Sequence, residues 1–102
     1  LAVRTRNSVY ELTILDPRSG EVLVRGGKFF PDWTSARVNG STMGRSFIRP
    51  LGIYPGMRME IMPLPAEQIH RTIYDPETGK KEFLMGFKTV TTSMVEAIGI
   101  VE

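Results

Sequence analysis

The chain contains no cysteine, a single histidine, a single tryptophan and no apolar run longer than a few residues. Each shortage removes a class of function. Without cysteine there is no disulfide framework, thiolate metal site or cysteine nucleophile. His70 alone provides neither a histidine metal cluster nor a triad, since no Gly-x-Ser-x-Gly elbow accompanies it, and the acidic residues form no calcium-loop ladder. It is expected to be a partly exposed strand residue. No segment approaches the roughly 20 apolar residues of a membrane helix. Charge of one sign is also scarce: 13 Lys and Arg against 11 Asp and Glu leave a net charge of +2. So small a balance does not by itself mark a nucleic-acid binder. The absent cysteines fit a cytoplasmic location, the expectation adopted for a chain that begins at Leu1, with residues upstream of it not seen.

At 102 residues the chain suits a single β domain over 1–102. Its most regular stretch is Leu51 to Leu64. Tyr54-Pro55-Gly56 should turn the backbone, because Pro presets φ at one corner and Gly accepts a positive φ at the next. Beyond the turn, Met57, Met59 and Ile61 alternate with Arg58, Glu60 and Met62, the period of a half-buried strand. The first set is expected in the core, with Met62 the methionine to look for outside it. Pro63 and Pro65 end the strand, since neither donates to a ladder.

The rest of the chain repeats this grammar. A strand is predicted over about 8–15, then the turn Asp16-Pro17-Arg18-Ser19-Gly20, then a return strand over 21–25. Lys28 to Trp33 is expected to be a loop or irregular edge strand, 35–39 a short third strand, and 39–46 a polar connection in which Asn39-Gly40 turns tightly. Phe47-Ile48-Arg49 is a brief apolar piece. Asp75-Pro76-Glu77-Thr78-Gly79 repeats the earlier turn chemistry, so 68–88 is a second long hairpin. Residues 88–102 should give one or two strands broken near Thr92-Ser93, and a helical turn at 65–70 or 93–97 is compatible with the pattern. The sum is an all-β fold, a small antiparallel barrel or compact sandwich of about six to eight short strands with little or no helix.

The pieces TRNSVYEL, VRGGKFF, NGSTMGRSF, IYPGMRMEI and TTSMVEAI resemble a family of short uncharacterised bacterial β proteins, which implies no activity. Residues 51–65, LGIYPGMRMEIMPLP, are also similar to the LG-x-x-PG-x-x-x-E-V pattern of the small ferrous-iron-transport accessory domain, a five-stranded barrel of the Src-homology type. That resemblance implies a module that binds partner proteins and does no chemistry. The hairpin at 68–88 interrupts what would be its closing strands.

Cations interleaved with aromatics mark one further cluster: Arg25, Lys28, Phe29, Phe30 and Trp33, with Arg45 farther along. Rings beside cations suit single-stranded nucleic acid, where bases stack while charge follows the backbone. They equally suit a protein interface. The simplest alternative is that Phe29, Phe30 and Trp33 close one end of the core. The glycine-bearing stretch 40–46, with Ser41, Thr42 and Ser46, lacks the Gly-Lys-Ser/Thr ending of a phosphate-binding loop. No cofactor is expected. The leading expectation is a non-catalytic module acting through protein contacts or self-association at its edge strands. A single-stranded nucleic-acid-binding barrel using the basic and aromatic cluster comes second, and an enzyme resting on the Ser/Thr-rich loop third.

Overall fold

The computed structural model describes residues 1–44, 47–50 and 52–100. Among them are nine strands and no helix: β1 (Ala2–Thr5), β2 (Val9–Asp16), β3 (Glu21–Gly26), β4 (Phe30–Gly44), β5 (Phe47–Pro50), β6 (Arg58–Pro63), β7 (Gln68–Tyr74), β8 (Lys81–Phe87) and β9 (Val90–Gly99). The main sheet runs β3-β2-β1-β9-β6-β4, and β3 also pairs with β4, so six antiparallel strands form a closed ring. β5 continues along β4 beyond the reach of β3, with Gly40 opposite Pro50 and Thr42 opposite Ile48. The all-β reading therefore holds.

Both predicted Asp-Pro turns have the same hydrogen bonds. Asp16 accepts the Arg18 N–H on its carboxylate at 2.9 Å and the Gly20 N–H on its carbonyl at 2.9 Å. Asp75 does the same for Glu77 at 2.9 Å and for Gly79 at 2.9 Å. Gly20 and Gly79 take φ of 81° and 70°, the left-handed conformation that closes each turn. The Glu77 N–H and the Thr78 hydroxyl hold the Asp75 carboxyl below the usual aspartate value. A group lowered in this way supports the turn above the carboxylate range and releases it as pH falls through its own folded value. The protection factor of the Glu77 amide, its exchange compared with that of an unstructured chain at the same pH, should therefore be held at neutral pH and fall as pH drops below the unperturbed aspartate value of 3.8. A protection factor unchanged by acid would show that the carboxylate does not hold the turn.

The middle of the chain departs from expectation. Residues 30–44 form one strand of 15 residues: Phe30 to Trp33 take the edge-strand alternative over the loop, the short strand expected over 35–39 is part of a longer one, and Asn39-Gly40 does not turn the chain. Asn39-Gly40 makes a bulge: Val38 faces Ile61 and Gly40 faces Glu60, leaving Asn39 over, with its amide donating to the Glu60 carboxylate at 3.3 Å. The bulge bends β4, so one edge follows β6 while the other serves first β3 and then β5. β1 was not expected, and β9 is one strand whose register against β6 shifts between Arg58 and Glu60, near the predicted break. Neither possible helical turn forms.

The ring encloses Val3, Tyr10, Leu12, Val22, Val24, Phe30, Ala36, Val38, Met59, Ile61, Val90 and Val95. Met57 is also buried, so the three inward residues of the organising segment lie where alternation put them, and Met62 is half-buried. Each fully buried aliphatic or aromatic side chain contributes about 1.5–3 kcal/mol. Polar groups inside are paired: Ser41 donates to the Gly52 carbonyl at 2.6 Å, and the Thr92 hydroxyl accepts the Met59 N–H at 3.1 Å. Among the described residues no buried side-chain nitrogen or oxygen lacks a partner.

β7 and β8 stand outside the ring. They pair with each other over seven residue pairs, from Gln68 opposite Phe87 to Tyr74 opposite Lys81. At about 3.3 Å per residue the ribbon is roughly 23 Å long. The molecule measures 55 × 27 × 26 Å and its radius of gyration is 15.2 Å, against about 13 Å for a compact chain of this size.

Candidate interaction surfaces

The basic and aromatic cluster does not assemble as a unit. Phe30 opens β4 with its ring inward and 2% exposed, whereas its neighbour Phe29 is 55% exposed and Trp33 43% exposed. Phe30 is therefore a core residue and cannot meet a partner; Gly26 opposite Phe30 fixes the register that turns it inward. Arg45 lies outside the described residues, as does Ser46.

What remains divides into two places. On the outer face of the ring, Glu11 on β2 stands opposite Arg25 on β3, with Arg25 Nη2 3.0 Å from Glu11 Oε1. The same guanidinium lies 4.7 Å from the centre of the Trp33 ring on β4. A shallow groove of about 200 Å³ runs beside it, lined by Leu1, Leu12 and Thr13. Arg25 thus has a carboxylate on one side and an aromatic face on the other. Both are half-exposed, so the interaction is worth about 0.5–1 kcal/mol for the ring and at most 1 kcal/mol for the ion pair.

The second place is a cleft of about 370 Å³ between the β1–β2 turn, the β3–β4 turn and the start of β9. Lys28 lies 5.2 Å above the Phe29 ring at its rim. Tyr10 forms the floor; burial pushes its phenol above the usual value, and a hydrogen bond with Ser8 pulls weakly the other way. Asn7 donates to the Ser93 hydroxyl at 2.7 Å across the cleft. Of the polar groups lining it, Asn7, Thr92 and Ser93 are already engaged with one another, and Lys28 is the one cation.

Arg4 faces Glu96 at 3.9 Å on the outside of β1 and β9, and Arg37 is exposed on β4. Among the described residues no three His, Asp or Glu side chains come together. Ser41 and Thr42 belong to the ladder between β5 and β6, so their backbone is engaged and makes no anion cradle.

Sequence reading missed the third surface. Gln68, His70, Thr72 and Tyr74 on β7 share a ribbon face with Lys81, Met85 and Phe87 on β8, because residues opposite one another point the same way. Tyr74, Met85 and Phe87 are all more than half exposed. The repeated Asp-Pro turn at 75–79 marked a hairpin over 68–88, but nothing in it said that the hairpin would leave the ring. Compared with protein-family models, curated proteins and solved structures, the chain matches none.

Proposed function

We propose that this chain is a non-catalytic binding and assembly module acting through protein–protein contacts, with the β7–β8 arm as its contact element. The observation that carries the reading is a two-stranded ribbon that pairs with no other strand among the described residues and bears Tyr74, Met85 and Phe87 on one exposed face. An isolated two-stranded ribbon is marginal in water and gains stability when a further strand or a packed face is added. The arm has the composition for protein contact. Over 67–88 it carries four cations, Arg71, Lys80, Lys81 and Lys88, against four anions, Glu67, Asp75, Glu77 and Glu82. A phosphate backbone calls for an excess of cations, which the arm does not have.

The reading is tested by placing a photo-crosslinking residue at Met85 and, as a control, at exposed Arg37 on the ring, in the cell of origin. Polypeptide adducts should form many-fold more at 85 than at 37. Equal yields, or none at 85, would remove the arm as the contact element.

A second reading, single-stranded nucleic acid, is favoured by the two exposed rings that each carry a cation, Trp33 with Arg25 and Phe29 with Lys28. Against it stands the carboxylate of Glu11 on Arg25. Titrating Trp33 emission with short RNA and DNA strands at low and moderate salt separates the two. The protein reading expects no salt-sensitive quenching; quenching that fades steeply as salt rises would put nucleic acid first.

A further inference from the structure

Resting on the arm being the contact element, we infer that its first partner is a second copy of the same chain, joined by antiparallel pairing of β8 with β8 about Met85. Each edge strand of a ribbon directs alternate N–H and C=O groups away from its neighbour, and the outer edge of β8 has no strand beside it among the described residues. A ribbon that needs another strand is best served by a partner present whenever the chain itself is present. Pairing two arms makes a four-stranded sheet, which passes the size at which sheets become stable.

The sequence of β8 selects the register. A two-fold axis through an antiparallel pair sets one residue opposite its own copy. Centred on Leu84, Lys80 would face Lys88, a like-charge pair. Centred on Phe83, Lys81 would face Met85 and no opposite charges meet. Centred on Met85, Glu82 faces Lys88 twice over, Phe83 faces Phe87 twice over, and Met85 meets its own copy. Only this last register matches charge with charge and ring with ring. The contact that Lys88 makes within one arm, with Glu67 at 3.9 Å and both side chains well exposed, is too loose to compete.

The test is sedimentation of the full chain and its arm variants. The wild type should be a dimer. Glu82→Lys and Lys88→Glu alone each create two like-charge contacts and should weaken dimerisation on the order of tenfold. The double variant restores both pairs and should return to within about threefold of wild type by the same reasoning. Because the chain has no cysteine, Met85→Cys gives a clean second readout: mild oxidation should link two copies through residue 85, while Thr72→Cys on the opposite strand should not link. Unchanged Trp33 emission confirms that the ring is intact in each variant. A dimer indifferent to the charge swaps and unlinked through residue 85 would overturn this register. A monomer up to about 100 μM, where an affinity of ~6 kcal/mol would still be seen, overturns self-pairing. If residue 85 still crosslinks to other polypeptides, the binding reading survives that loss; if it does not, both fail.

Discussion

Replacing Gly26 by alanine should destabilise the protein by about 2–6 kcal/mol, combining backbone strain of 1–3 kcal/mol with overpacking of 1–3 kcal/mol. Gly26 ends β3 opposite Tyr10 with φ of 135°, and a Cβ there would run into the Val9 carbonyl oxygen and lie 2.8 Å from Tyr10 Cα. The obstacle is the backbone of the neighbouring strand, which cannot rotate aside. Gly56 and Gly79 supply the control. Their φ values of 84° and 70° are also left-handed, but an added Cβ would meet nothing within 4 Å. Alanine at either should cost only about 1 kcal/mol. Urea unfolding of the three variants checks the ranking. A Gly26→Ala loss no larger than the other two would mean that β2 and β3 are not packed as closely as described.

Phe30→Ala should cost about 3–5 kcal/mol, the range for emptying a buried aromatic site, while Phe29→Ala should change stability by no more than about 0.5 kcal/mol. The two rings are adjacent in sequence, yet one is 2% and the other 55% exposed. Phe30 packs in the closed ring among the side chains of β2, β3 and β4. Phe29 rests at the cleft rim under Lys28. Thermal melts of both variants decide the matter; comparable losses would place Phe29 in the core as well and remove one of the two exposed cation–ring pairs.

These pairs of residues show where sequence reasoning stops. Local chemistry was legible. The two Asp-Pro turns, the turn at Tyr54-Pro55-Gly56 and the inward set Met57, Met59 and Ile61 all follow from rules that act over a few residues. The continuity of 30–44 was missed because Pro31 and Gly40 read as breaks, and Gly40 belongs to a bulge that bends a strand without ending it. Whether Asn-Gly makes a turn or a bulge depends on what lies alongside, here Glu60 of a strand some twenty residues away. The interaction surface was less legible still. Alternating residues in a free ribbon look like those of a ribbon packed on a core, since period two records the pleat and not what covers it.

Ring closure places a particular demand on the folding process. β1 and β9 pair with Ala2 opposite Gly99, so the last seam joins the two extremities of the described chain. The turns at 16–20 and 75–79 bring together residues only a few positions apart, whereas this seam has to gather a loop of nearly the whole chain before any hydrogen bond rewards it. Topologies dominated by such distant pairings fold in milliseconds to seconds, not microseconds. The nascent hairpins should form early and the seam late, with the edges of β1 and β9 bare in the interval. The same geometry makes the two extremities neighbours. Segments attached before Ala2 and after Gly99 would leave the ring from adjacent strands, side by side.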